Sequence, residues 1–158
     1  MKFSIINIEP LSGTKAKVYS VKFEEKYASE LVIFVHKFHD THPQIIDEAI
    51  QRIRLIAQRE GFQNSFFRRE CSETHNVFRL FETKDIRLYC IKFDTTLLLF
   101  GSGGIKKNKE KKLKDNPYLE KEVKKLQKIE DAINKRIKSG ELSITSEGFI
   151  GNLDDLEL

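Results

Sequence analysis

Tryptophan is absent from this chain, and cysteine occurs only twice, at Cys71 and Cys90. Those two make no metal-type pair. Cys90, inside a strand-like stretch, reads as a small buried hydrophobe. No apolar run approaches the length of a membrane span. The opening Met1-Lys-Phe-Ser-Ile-Ile-Asn-Ile-Glu-Pro meets an acid too early for a secretory signal. No internal repeat is present. These absences predict a cytoplasmic protein in a reducing compartment, with no membrane partner. The lack of tryptophan leaves the bulk of the aromatic packing to twelve phenylalanines.

What the chain does have is unevenly placed charge. Its 158 residues suit one domain with a usable core, spanning 1–158 and closing in a short acidic tail. The net charge is only +4, but from Lys106 to Lys138 thirteen basic residues meet six acidic ones. From Ser139 onward there are five acidic residues and no basic ones. A basic block followed by an acidic tail fits a polyanion-binding face; it equally fits a solvated lysine-rich helix.

The periodicity predicts the order of elements. Phe3 to Ile8 reads as a strand stopped by Pro10. Lys15 to Glu24 reads as a second strand with a phase slip near Ser20. Leu31, Phe34, Val35 and Phe38 share one face of a helix over Tyr27–His39. Pro43 fits the first turn of another helix, over His42–Glu60, whose Ile46, Ala49, Ile50, Ile53 and Ala57 recur at helical spacing before Gly61. Gln63 to Thr74 reads as a loop pinned by Phe66 and Phe67. Val77–Glu82, Ile86–Phe93 and Thr96–Phe100 read as an antiparallel meander. After a charged loop, Asn116-Pro117 opens a helix with Leu119, Val123, Leu126, Ile129, Ile133 and Ile137 on one stripe. Leu142 to Ile150 reads as a short strand or an extended tail. The class expected is α+β: a small antiparallel sheet, two helices packed on it, and a C-terminal amphipathic helix.

The meander carries the candidate chemistry. Strand alternation puts Arg87, Tyr89 and Ile91 on one face, and Arg79 on the neighbouring strand can join Arg87 across the sheet. Lys106 and Lys107 follow the last strand. Cleaving a phosphodiester without a metal or cofactor requires a group that accepts the attacking hydroxyl's proton. It also requires cations for the pentacovalent transition state and a donor for the leaving oxygen. Arg79, Arg87, Tyr89, Lys106 and Lys107 are the catalytic candidates on that logic. Lys109, Lys111, Lys112 and Lys114 are the RNA-binding candidates. The bland alternative is a half-exposed sheet whose arginines face water.

Two other features point less sharply. Gly101-Ser-Gly-Gly-Ile-Lys-Lys lacks the spacing of a nucleotide-binding phosphate loop, and it reads as a turn at a strand end. His36, His39 and His42 recur every three residues, but no cysteine cluster supports a metal site. His75, just before the meander, is a further general-base candidate.

Phe78-Arg-Leu-Phe, Ile86-Arg-Leu-Tyr and Leu99-Phe-Gly-Ser-Gly-Gly-Ile-Lys-Lys, in the order strand, helix, helix, meander, helix, resemble the RelE/ParE toxin superfamily. The likeness covers about Lys15 to Ile137, and it is nearest to the HigB-like, phage-derived branch. The resemblance implies the toxin of a type II toxin–antitoxin system, an endoribonuclease cutting mRNA, commonly on the ribosome. It also implies a helix-turn-helix antitoxin as partner. Arg79 and Arg87 match basic positions on the family's second and third strands, and Lys106 or Lys107 the basic residue after the last strand. Many members place a catalytic tyrosine soon after that residue; this chain has only lysines as candidates there until Tyr118. ParE-type members bind gyrase and cut nothing. The resemblance therefore leaves two classes open: a ribosome-associated nuclease, and a binding protein acting on gyrase or only on its antitoxin and DNA.

Overall fold

Alternating apolar residues at the amino end form β1 (Lys2–Asn7) and β2 (Lys17–Phe23), paired antiparallel. The computed structural model describes residues 1–71, 74–80, 85–94, 96–106 and 116–158. After β2 come two helices. The first is α1 (Glu30–His39), whose N-cap Ser29 accepts from the Val32 N–H. The second, α2 (Pro43–Leu55), starts at Pro43 and runs into a π-helical turn, Ile56–Glu60, ending at Gly61 with φ of 69°. Next are a short strand β3 (Phe67–Arg69), then β4 (Val77–Leu80), β5 (Ile86–Asp94) and β6 (Leu97–Ile105). Helix α3 (Pro117–Lys138) follows, then a hairpin of β7 (Leu142–Thr145) and β8 (Gly148–Gly151), then β9 (Leu156–Glu157).

The class is α+β as expected, and β4, β5 and β6 pair antiparallel in one sheet as the meander predicted. The sheet is neither small nor wholly antiparallel. Seven strands run in the order β3-β4-β5-β6-β2-β1-β9, and β2 lies parallel to β6. Leu97, Leu98, Leu99 and Phe100 are all fully buried, as a central strand covered on both faces requires.

Two cores flank the sheet. Under α1 and α2 lie Val18, Leu31, Phe34, Ile46, Ile53, Phe78, Leu88 and Phe100. Under α3 lie Tyr19, Val21, Tyr89, Ile91, Leu99, Leu119, Val123, Leu126, Ile129 and Ile133. Double coverage explains why β2 suggested a phase slip. Its pairing to β1 is unbroken, Val18 facing one core and Tyr19, Val21 and Phe23 the other. With both faces buried, the polar half of the alternation vanishes.

Two further expectations are corrected, and the acidic tail takes a defined place. The stretch expected as a loop over Gln63–Thr74 contains β3, which pairs with β4 through Phe67↔Leu80 and Arg68↔Arg79. The glycines expected as a turn lie inside β6. Leu88 pairs with Gly103 but Cys90 with Phe100, so β6 carries an extra residue there, a bulge. The acidic tail is docked: β9 pairs with β1 and Leu156 is buried, while Arg136 donates to the carbonyls of Asp154 and Asp155. Among the described residues, no helix is long and apolar enough to cross a membrane.

Candidate functional site

The bulge in β6 determines what α3 can approach. It shifts the strand's parity, so that Gly101 and Gly104, three residues apart, both face α3. A Cβ on Gly101 would lie 2.7 Å from a Leu126 methyl, and one on Gly104 2.7 Å from the Tyr118 ring. The two glycines thus give the helix room to sit close on the strand. Asn116 fastens the contact at the other side: its Oδ1 accepts from the Leu119 N–H, and its Nδ2 donates to the Ile105 carbonyl, each at 3.1 Å. The first turn of α3 is therefore pinned to the end of β6.

Register gathers the polar groups on this face. Arg79 is directly opposite Tyr89, and Arg87 is opposite Gly104. Arg79 and Arg87 are thus diagonal neighbours, about 8 Å apart along the sheet surface. Glu70, just after β3, places Oε1 2.7 Å from Arg79 Nε, both side chains being 18% exposed. Burial raises the Glu70 carboxyl above its ordinary value, against the pull of Arg79 and Lys106. Lys106 is half-buried, its backbone N–H donating to the Asp85 carbonyl at 2.7 Å.

The predicted residues therefore separate. Arg79, Arg87 and Lys106 come to one region of the α3 face. Tyr89 keeps the predicted face but is sealed at 1% exposure, and burial pushes its phenol further up, with the Glu70 and Glu122 charges adding to the effect. No substrate reaches it in this conformation. Lys107, Lys109, Lys111, Lys112 and Lys114 lie outside the described residues. His75 is at the other end of the sheet. Its Nε2 is 2.9 Å from Asp131 Oδ1 and its Nδ1 3.2 Å from Thr74 Oγ1, so both ring nitrogens are engaged. Beside it, Glu130 takes two hydrogen bonds from Asn76, through N and Nδ2, each at 2.9 Å. That pair anchors β4 to the middle of α3 and is structural.

The three regularly spaced histidines do not converge. His36 stacks on Tyr27, His39 contacts Asp40, and His42 contacts Thr41. Among the described residues no group of three His, Cys, Asp or Glu side chains is arranged to hold a metal.

One group here escaped the sequence reading, and a second, Tyr118, was met there only as a distant tyrosine. Glu70 carried no signal, because only the β3–β4 pairing brings it to Arg79. Tyr118 follows Lys106 by twelve positions, yet its ring rests on Gly104. An asparagine before Pro117 was the available clue: a capped, fixed helix start implies a fixed place for the next side chain. Compared with family models, curated proteins and solved structures, the chain matches none.

Proposed function

We propose that this chain is a metal-independent endoribonuclease of the RelE/ParE toxin type, cutting mRNA on the ribosome and neutralised by a helix-turn-helix antitoxin. The observation that carries the reading is the grouping of Arg79, Arg87 and Lys106 on one face beside Glu70, a half-buried carboxyl whose proton affinity is raised. The order of strand, helix pair, antiparallel meander and helix supports the family likeness. The strand β1 and the segment after α3 are additions to that plan.

In this reading Glu70 accepts the proton of the attacking 2′-hydroxyl. A raised carboxyl value suits that task better than an ordinary one. Arg87 meets the charge that develops on the phosphoryl oxygens, Lys106 gives a proton to the 5′-oxygen as its bond to phosphorus breaks, and Arg79 orients Glu70 and adds to the positive field. The test is Arg87→Ala, assayed on ribosome-bound messages and by growth arrest. Cleavage should fall on the order of a hundredfold. Losing this half-buried strand arginine should cost about 1 kcal/mol of stability or less. Unchanged cleavage at equal protein level rules the assignment out.

The sealing of Tyr89 and the engagement of Arg79 by Glu70 favour one other reading, a binding protein on the same fold. Growth arrest with DNA-damage signalling and intact messages would select it.

A further inference from the structure

Beyond the last β2–β6 pair, Ser20↔Phe100, the two parallel strands diverge: β2 continues along β1, and β6 along β5. The Ser20 hydroxyl closes the seam, donating to the Phe100 carbonyl at 2.8 Å and accepting from the Leu31 N–H at 3.1 Å. Past it, α1 and α3 form the walls of a cleft of about 680 Å³ at the carboxyl ends of the two strands. In open sheets, the crevice outside the carboxyl ends of diverging parallel strands is where ligands bind.

The lining is built for an aromatic, anionic guest. Tyr27 and Tyr118 reach the cleft and are 71% and 45% exposed. Lys26, Lys37 and Lys121 line it too, and the Lys37 ammonium lies 5.1 Å from the Tyr118 ring centre. Three carboxylates are present. Glu30 and Glu122 are both held by Lys125, at 2.7 and 3.0 Å, while Glu25 stands at the rim. The triad fixes the floor, and the lysines supply the accessible positive charge. Tyr118 also touches Gly104, the cross-strand partner of Arg87, so the cleft continues directly from the cation cluster.

We infer that this cleft receives the nucleotide next to the scissile phosphate of a single-stranded RNA. Its base stacks on Tyr118 in place of the Lys37 ammonium, and its phosphate is met by Lys37 and Lys121. Base–aromatic stacking tolerates any sequence, and lysines at the walls track the backbone. The inference rests on the nuclease reading for its substrate.

The test uses a fluorescein-labelled trinucleotide with 2′-O-methyl riboses, which binds but offers no attacking hydroxyl. Fluorescence anisotropy on the full chain reads its affinity. Tyr118→Leu should weaken binding about tenfold to a hundredfold, and Tyr118→Phe should change it less than about twofold. Lys37→Ala, on the opposite wall, should weaken binding severalfold and flatten its salt dependence. Circular dichroism establishes that each variant is folded. Affinity unchanged in both Tyr118→Leu and Lys37→Ala would overturn the inference. A hexaglutamate peptide that binds as tightly and loses affinity with the same substitutions would also overturn it. Loss of trinucleotide binding in these variants, with no cleavage of any message by the unsubstituted chain, would uphold the cleft and remove the nuclease reading. Cleavage with no affinity of the cleft for the trinucleotide would do the reverse.

Discussion

The two faces of the sheet are packed to different purposes. Under α1 and α2 the core cluster is apolar, the buried Ser20 hydroxyl beside it is satisfied by two backbone groups, and the buried Glu30 that opens α1 is paired across to Lys125 of α3. Under and around α3 the helix carries two buried glutamates, Glu122 and Glu130, and the sheet presents Arg79, Arg87 and Lys106. Burying a charge is costly unless it is paired and hydrogen-bonded. A fold that could close both faces with leucine and phenylalanine, and does so on one, spends its polar groups on the other. The contrast is the ground, apart from any motif, for proposing the site on the α3 face.

The sharpest way to break the contrast is to damage the dry face. Phe100→Ala removes a fully buried ring of β6 from the core under α1 and α2, and should cost about 3–5 kcal/mol. Urea denaturation reads the loss. On the nuclease reading, cleavage per folded molecule should be unchanged, and a specific loss of activity would dissolve the division between the faces.

On the other face, Lys125→Ala leaves Glu30 and Glu122 buried without their common cation, at a cost of about 3 kcal/mol. The pH dependence gives a second measure. Burial alone would lower the Lys125 value, but hydrogen bonding and attraction from the two glutamates outweigh it, so the value rises above the ordinary 10.5. Its stabilising contribution is therefore complete below about pH 10.5 and declines as pH rises through the raised folded value. The stability gap between the parent chain and Lys125→Ala should narrow only under strongly alkaline conditions. A gap constant to that limit would mean the triad acts by packing alone.

The smallest effect concerns the cover at the sheet's margin. A chain ending after Gly151 loses β9 and exposes the side of the α3 core that Leu156 closes. One buried leucine sets the scale, so the loss should be about 2 kcal/mol. A differential scanning measurement that finds the two chains equally stable would make β9 a surface attachment rather than part of that core.

Much of this plan is legible in the residues themselves. The stripe from Leu119 to Ile133 and the repeat from Ile46 to Ala57 identify two helices and their buried sides, because helical period is a local property. The antiparallel run through Phe78, Leu88 and Leu98 is legible for the same reason. Four features are not. The β2–β6 pairing joins residues eighty positions apart and leaves no local trace. β3 is three residues long, too short for any period. The bulge at Gly101–Gly103 removes the alternation that would identify a strand, and glycine's lack of a side chain makes the stretch look like a turn. The tail's Leu156 is one apolar residue among acids, and its burial depends on the open edge of β1. At the candidate site, strand alternation placed Arg79 and Arg87 on one face. It said nothing of how deep Tyr89 lies, because depth depends on the glycines that admit α3.

The parallel seam has a consequence for the order in which the molecule assembles. β1 with β2, and β4 with β5 and β6, are each joined by short connections and can pair as soon as their own residues are available. Bringing Val18 beside Leu98 closes a loop that contains both amino-terminal helices and β3, β4 and β5. Contacts of such sequence separation form late and slow the folding of the domain that needs them. The β2–β6 seam at Ser20–Phe100 is therefore expected to close late, and the cleft, which needs both strands and the helices on them, is complete only once it has closed. On the proposed reading, a chain caught before that seam closes has its cations but no complete seat for a nucleotide.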